Sequence, residues 1–223
     1  MSKFIGEVAM DIFQVFYKNK NDKQAEPMAR YMKNQFVFLG LKKPEWKRLS
    51  KDFFKDKKKE KEIDWDFIFQ SYDLPEREFQ YLGIEYMNLV KDLFTPSDMI
   101  NIEKLLIRKS WWDSVDAINP LVGHIAMKYP EIRDDILSKW IESDNIWLKR
   151  VSIIFQLKYK ENTDTEFLSK SILHNSMTNE FFVNKAIGWA LREYSKTNKK
   201  WVRDFIDNND LSSLSRREGS KYI

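Results

Sequence analysis

The stretch KSWWDSVDAI, Lys109 to Ile118, sets two tryptophans side by side and two aspartates three residues apart. In a helix Trp112 and Asp116, four residues apart, stand on one face, one turn from each other. An indole bound for the core and a carboxylate bound for water would not share a face, so the pair is a candidate for chemistry. An indole face attracts a cation, and a fixed carboxylate stabilises one. The neighbouring residues have plainer roles. Ser110-x-x-Asp113 has the form of a capping box, with Ser110 as N-cap and Asp113 at the positive end of the helix dipole. Trp111 points about 100° away from Trp112 and is expected to pack inward.

Similar groups recur further along. In KAIGWALREY, Lys185, Trp189 and Arg192 are spaced four and three, a cation–indole–cation stripe on one helical face. Arg150 in NIWLKR holds an equivalent basic position, and ARYMKN offers Arg30 and Tyr31. Basic side chains converging on one groove suit phosphates, which fix register without reading sequence. Lys185 and Arg192 read equally well as surface charges whose stems run past Trp189.

Helices must position these residues. Six glycines and six prolines in 223 residues leave little room for the turns of an all-β protein. Apolar residues recur at three and four: Phe167, Leu168, Ile172, Leu173 and Met177 form one stripe, and Val151, Ile154, Phe155 and Tyr159 another. Helix starts are marked at Thr95–Asp98, Ser143–Asn145, Asp73–Glu76 and Tyr129–Glu131. Aligning Gln80, Arg150, Lys185 and Arg217 gives intervals of 70, 35 and 32 residues, and Trp112 lies 35 before Trp147. Such a period belongs to stacked helix pairs, and without a tetratricopeptide signature it is read as HEAT-like. The expectation is an all-α solenoid with a concave groove, one domain spanning 1–223.

Composition bounds the rest. Without cysteine the chain has no disulfide, thiolate metal site or cysteine nucleophile, and His124 and His174 are too far apart for a histidine-rich site. No metal and no cofactor are expected. No run of eighteen apolar residues occurs, and MSKFIGEVAM has no signal-peptide core, so a cytoplasmic protein with no membrane role is expected. The net charge is only +4, yet Lys42–Lys61 holds ten basic and four acidic residues, a block that suits nucleic acid. Within it Lys55–Lys61 reads as a solvated helix end and loop.

The segments QAEPMARYMKNQFVFLG, DLPEREFQ, KSWWDSVD, SDNIWLKR, FQLKYK and KAIGWALREYSKTN together resemble the AlkD family, the HEAT-like-repeat DNA glycosylases of bacterial alkylation repair. The resemblance runs from about Gln24 to Arg217; Lys55–Lys61 and the extreme N-terminus match no motif of it, and the last repeat is expected to lack part of its cap. It implies an enzyme that removes positively charged alkylated bases, chiefly 3-methyladenine and 7-methylguanine, from double-stranded DNA; a monomer is expected. The family's catalytic trio falls on Trp112, Asp116 and Trp189, its DNA-backbone arginine on Arg150 and its groove tyrosine on Tyr31. By position alone, Lys47, Lys185 and Arg192 join the DNA contacts. A base already cationic is a good leaving group, so no strong general acid is required, and no lysine beside the trio suggests a lyase step. The alternative is a non-catalytic HEAT-like scaffold that binds nucleic acid or a protein.

Overall fold

The computed structural model describes residues 11–223; the first ten, in which no signal-peptide core is read, lie outside the described residues. The chain is all-α. In the first part of the chain run α1 (Ile12–Lys18), α2 (Asp22–Tyr31), α3 (Lys43–Leu49), α4 (Lys51–Lys57), α5 (Trp65–Asp73) and α6 (Arg77–Leu89). Then come α7 (Met99–Leu106), α8 (Trp112–Lys128), α9 (Ser138–Glu142), α10 (Ile146–Ile154), α11 (Thr165–Asn175), α12 (Phe181–Tyr194), α13 (Lys199–Asn208) and α14 (Ser213–Gly219). An isolated bridge joins Val37 to Glu76. No helix among the described residues is long and apolar enough to cross a membrane.

The helices begin where short polar side chains can take up open amides. Asn145 accepts from the amides of Trp147 and Leu148 at the start of α10, and Asp164 from Phe167 at the start of α11. The Asp98 carboxylate accepts from the Thr95 amide at 2.8 Å ahead of α7. The marked start at Asp73–Glu76 leads into α6, and Tyr129–Glu131 leads through a π-helical stretch, Arg133–Leu137, into α9. Ser110 is a correction. It does not cap α8, because Lys109 adopts a left-handed φ of 48° and turns the Ser110 hydroxyl back onto the Leu106 carbonyl at 2.5 Å. The helix therefore starts one residue later, behind an extended Trp111 whose amide donates to Ser114 Oγ at 3.4 Å. Asp113 keeps its place in the first turn.

Contacts gather into two compact units that divide at Leu93/Phe94. In the first, α5 packs on α6 and α4 on α3 and α6. Its pivot is Glu78, whose buried carboxylate accepts from the amides of Leu39, Gly40 and Leu41 at 2.9, 2.9 and 3.0 Å. Burial pushes that carboxyl above its ordinary value while the amides pull it back. Gly40 is obligatory there: its φ is 87°, and a Cβ would stand 2.0 Å from the Asn21 carbonyl oxygen. The FLG and PEREF segments are thus two halves of one structural clamp.

The charged run also differs from expectation. Lys55, Lys58, Lys59 and Lys61 are exposed, but Lys57 is largely buried, with its ammonium 5.8, 5.4 and 5.5 Å from the rings of Phe53, Phe67 and Tyr86. It pairs with Glu60 at 2.7 Å and with Asp64, and Tyr86 donates to Glu60. Burial pulls the ammonium pKa down, but both carboxylates outweigh it and hold the group above its ordinary value. Burial likewise pushes Asp64 up, and the hydrogen bonds from Lys57 and the Phe67 amide bring it below the usual carboxylate value. A helix face lined with rings accepts a long cationic stem, which charge counting along the run does not reveal.

In the second unit α8, α10, α12 and α14 pack in succession, with α9 against α11. Ile153, Ile154, Leu168 and Ile172 meet Val183, Ala186, Ile187 and Leu191 in one core, against which Trp189 packs. Val151, Ile154, Phe155 and Tyr159 are all buried, as their spacing requires. In the other stripe Phe167, Leu168 and Ile172 are buried, but Leu173, within α11, is exposed, and so is Met177 at 81%, which lies beyond the helix end at Asn175.

Gly40→Ala should lower the stability of the protein by more than about 3 kcal/mol, since it combines φ strain with a backbone collision; thermal unfolding measures this. Lys57→Met should cost about 1–3 kcal/mol at neutral pH, by leaving two carboxylates without their cation. Because the folded-state Asp64 value is depressed, its stabilisation is present above the ordinary carboxylate range and lost as pH falls through it. The wild-type advantage over Lys57→Met should therefore shrink between pH 7 and pH 3 in urea titrations.

Candidate functional site

Aromatic residues at the starts of three helices meet: Trp111 just ahead of α8, and Trp147 and Phe182, each second in α10 and α12. The Trp111 ring lies edge-on to Trp147 at 5.9 Å and to Phe182 at 5.1 Å, and Trp147 is tilted against Phe182 at 5.0 Å. Such pairs contribute about 0.5–1.5 kcal/mol each beyond their buried area. Trp111 thus packs inward and ties together the starts of three helices. Trp112 opens α8 and Asp116 follows one turn later; both are partly exposed.

Asp116, Arg150 and Lys185 are each the fifth residue of their helix, and that shared phase has a direct consequence. Arg150 Nε donates to Asp116 Oδ1 and Arg150 Nη2 to Asp116 Oδ2, both at 2.8 Å, while Nη1 donates to the Phe182 carbonyl at 2.7 Å. The guanidinium carbon also lies 5.9 Å from the Trp189 ring centroid. Arg150 is 5% exposed and the Asp116 side chain 20%. The arginine therefore does not stand in the open as a groove-lining cation. It links Asp116 on α8 to Trp189 on α12. A two-pronged charge-assisted pair fixes the carboxylate plane, and of about four lone-pair positions on a carboxylate such a pair uses two. The other two remain for a ligand on the exposed side.

Lys185 and Arg192 share a partner that sequence reasoning did not single out. Glu218, buried on α14, accepts from Arg192 at 2.9 Å and Lys221 at 2.8 Å and pairs with Lys185 at 3.4 Å. The Lys221 hydrogen bond, with the nearby Lys185 charge, outweighs burial and holds this carboxyl at about 2. Glu218 lies one residue after the aligned Arg217, and nothing in REGS distinguishes it from a surface acid. Arg217 is exposed, whereas the aligned Gln80 is buried and bonds to the Leu74 and Ser71 carbonyls as a structural cap.

Tyr31 and Lys47 belong to the N-terminal unit. Tyr31 is 70% exposed and lines a cavity of about 270 Å³ with Met28, Phe38, Lys42 and Tyr81. Lys47 is exposed, pairs with Glu85 at 2.9 Å and lies 5.9 Å from the Trp46 ring centroid. Among the described residues no three His, Asp or Glu side chains are grouped as metal ligands would be.

An all-α chain of stacked helices bearing this indole, carboxylate and arginine group matches the family profile of DNA alkylation repair enzymes over residues 12–223, and the protein belongs to that family. It is similar to a solved structure described as a predicted DNA alkylation repair enzyme from Enterococcus faecalis, with 37% identity over 92% of this chain and 96% of that one and a TM-score of 0.86. No curated protein matches it.

Asp116→Asn leaves a buried guanidinium without its counter-charge and should destabilise the fold by about 3 kcal/mol. A double-mutant cycle with Arg150→Met should show a coupling of about 2–3 kcal/mol. Additivity within about 0.5 kcal/mol would show that the pair does not act as a unit.

Proposed function

We propose that the protein is a monofunctional DNA glycosylase that hydrolyses the N-glycosidic bond of positively charged alkylpurines, 3-methyladenine and 7-methylguanine, in duplex DNA. The observation that carries the reading is the Asp116 carboxylate, clamped by Arg150 and partly open to solvent, one turn from Trp112 and joined through Arg150 to Trp189. Family membership supports repair of alkylated DNA; the carboxylate and indoles support the particular bond.

Alkylation of a ring nitrogen makes the purine a cationic leaving group. As its bond to C1′ lengthens, positive charge passes to the deoxyribose, and Asp116 stabilises that cation electrostatically and orients the attacking water. A carboxylate already held in place needs no reorganisation when the charge develops. Trp112 and Trp189 flank the cationic nucleotide, each contributing about 0.5–2 kcal/mol of cation–π attraction. Neutral bases gain none of this, which gives selectivity for charged lesions.

Arg150 acts here chiefly by orienting Asp116. Backbone phosphates fall to Lys185 and Arg192, and in the N-terminal unit to Lys47 and Tyr31. In this reading both units serve one repair domain spanning 1–223, active as a monomer.

The test is single-turnover release of 7-methylguanine from methylated duplex. Asp116→Asn should release base about 10²–10³-fold more slowly, the scale for losing one preorganised electrostatic group, while still binding DNA. Salt-dependent binding by the wild type with no free base would instead leave a non-catalytic scaffold.

A further inference from the structure

Three cations on α10 and α12 that neighbour Trp189 in space or along its helix are each tied to a carboxylate. Arg150 is held on Asp116, and Lys185 and Arg192 are held on Glu218. Lys185 precedes Trp189 by four residues and Arg192 follows it by three, so both rise from the face of α12 that carries the indole. Their long stems would otherwise let an ammonium and a guanidinium sweep the space above the ring.

Glu218 is placed closely enough to prevent this. A Cβ at Gly188 would come 2.5 Å from the Glu218 Cβ, so α14 lies against α12 at the residue next to Trp189, and only glycine permits that approach. The carboxylate then draws in Lys185, Arg192 and Lys221 together. It stays ionised at any ordinary pH, so this hold does not vary over the working range.

We infer that Glu218 is a positioning residue for the proposed reaction: it holds Lys185 and Arg192 away from the Trp189 indole, keeping that ring available to a cationic nucleotide. The inference rests on the glycosylase reading. Its physical content is the sign of the field. Two unheld positive charges beside the ring would oppose a transition state that is itself positive, whereas the same charges drawn to Glu218 remain near enough to attract DNA phosphates. One carboxylate against three cations still leaves a positive excess for that purpose.

This separates rate from binding. Glu218→Gln keeps the side-chain shape and releases the cations. At saturating enzyme its single-turnover release of 7-methylguanine should fall about 10-fold, while its affinity for duplex DNA stays the same or tightens. Adding Lys185→Met and Arg192→Met to Glu218→Gln should recover most of the lost rate and weaken DNA binding. An unchanged rate in Glu218→Gln overturns the inference. So does a triple variant that stays slow, because the loss would then come from disturbed α12–α14 packing. Absence of base release by the wild type would overturn the glycosylase reading itself, and this inference with it.

Discussion

A guanidinium cannot shed its proton in a protein, so one that is 5% exposed must face a carboxylate or not be there. Taking that charge out of water costs several kcal/mol, repaid only by near-ideal geometry. Arg150 meets that demand with two 2.8 Å bonds to Asp116 and a third to the Phe182 carbonyl. The starts of α8, α10 and α12 are consequently bound to one another by charge, as Trp111, Trp147 and Phe182 bind them by ring packing. In an ion pair with a buried guanidinium, stability and orientation are one property. The carboxylate best placed to stabilise a cation is also the one the fold needs in order to bury its arginine.

The same economy appears at Glu218 and Glu78. Each is a buried acid with several donors aimed at it, and each depends on a glycine that lets backbone or helix approach: Gly40 faces the Asn21 carbonyl, and Gly188 faces Glu218 itself. The environments act in opposite directions. Lys221 and Lys185 hold Glu218 well below its ordinary value, whereas neutral amides do not fully offset the burial of Glu78. The difference lies in burial, which is the leading influence on Glu78 and is outweighed at Glu218 by the Lys221 hydrogen bond, so Glu78 braces a loop and Glu218 gathers cations.

Much of this was legible in the sequence, and for physical reasons. Helical periodicity marked the buried face of Val151, Ile154, Phe155 and Tyr159, and side chains that satisfy open amides marked the starts of α7 and α10. Four-residue spacing put Trp112 and Asp116 on one face, and the 35-residue period put Arg150 and Lys185 at one phase. These are local rules, set by backbone geometry within a turn or by a repeat of fixed length.

What tertiary structure decided is who partners whom. Nothing local shows that Arg150 turns to Asp116, 34 residues away, or that Glu218 gathers Lys185 and Arg192 from another helix. Nor does a charge count along Lys55–Lys61 show that Lys57 leaves water for three aromatic rings. The left-handed turn at Lys109 that cost Ser110 its cap belongs here too. The sequence by itself determined the fold class, the faces and the chemical types at the site. Only the packed structure determined which charges are neutralised and where the remaining ones point, because electrostatic energy depends on through-space distance and burial rather than on separation along the chain.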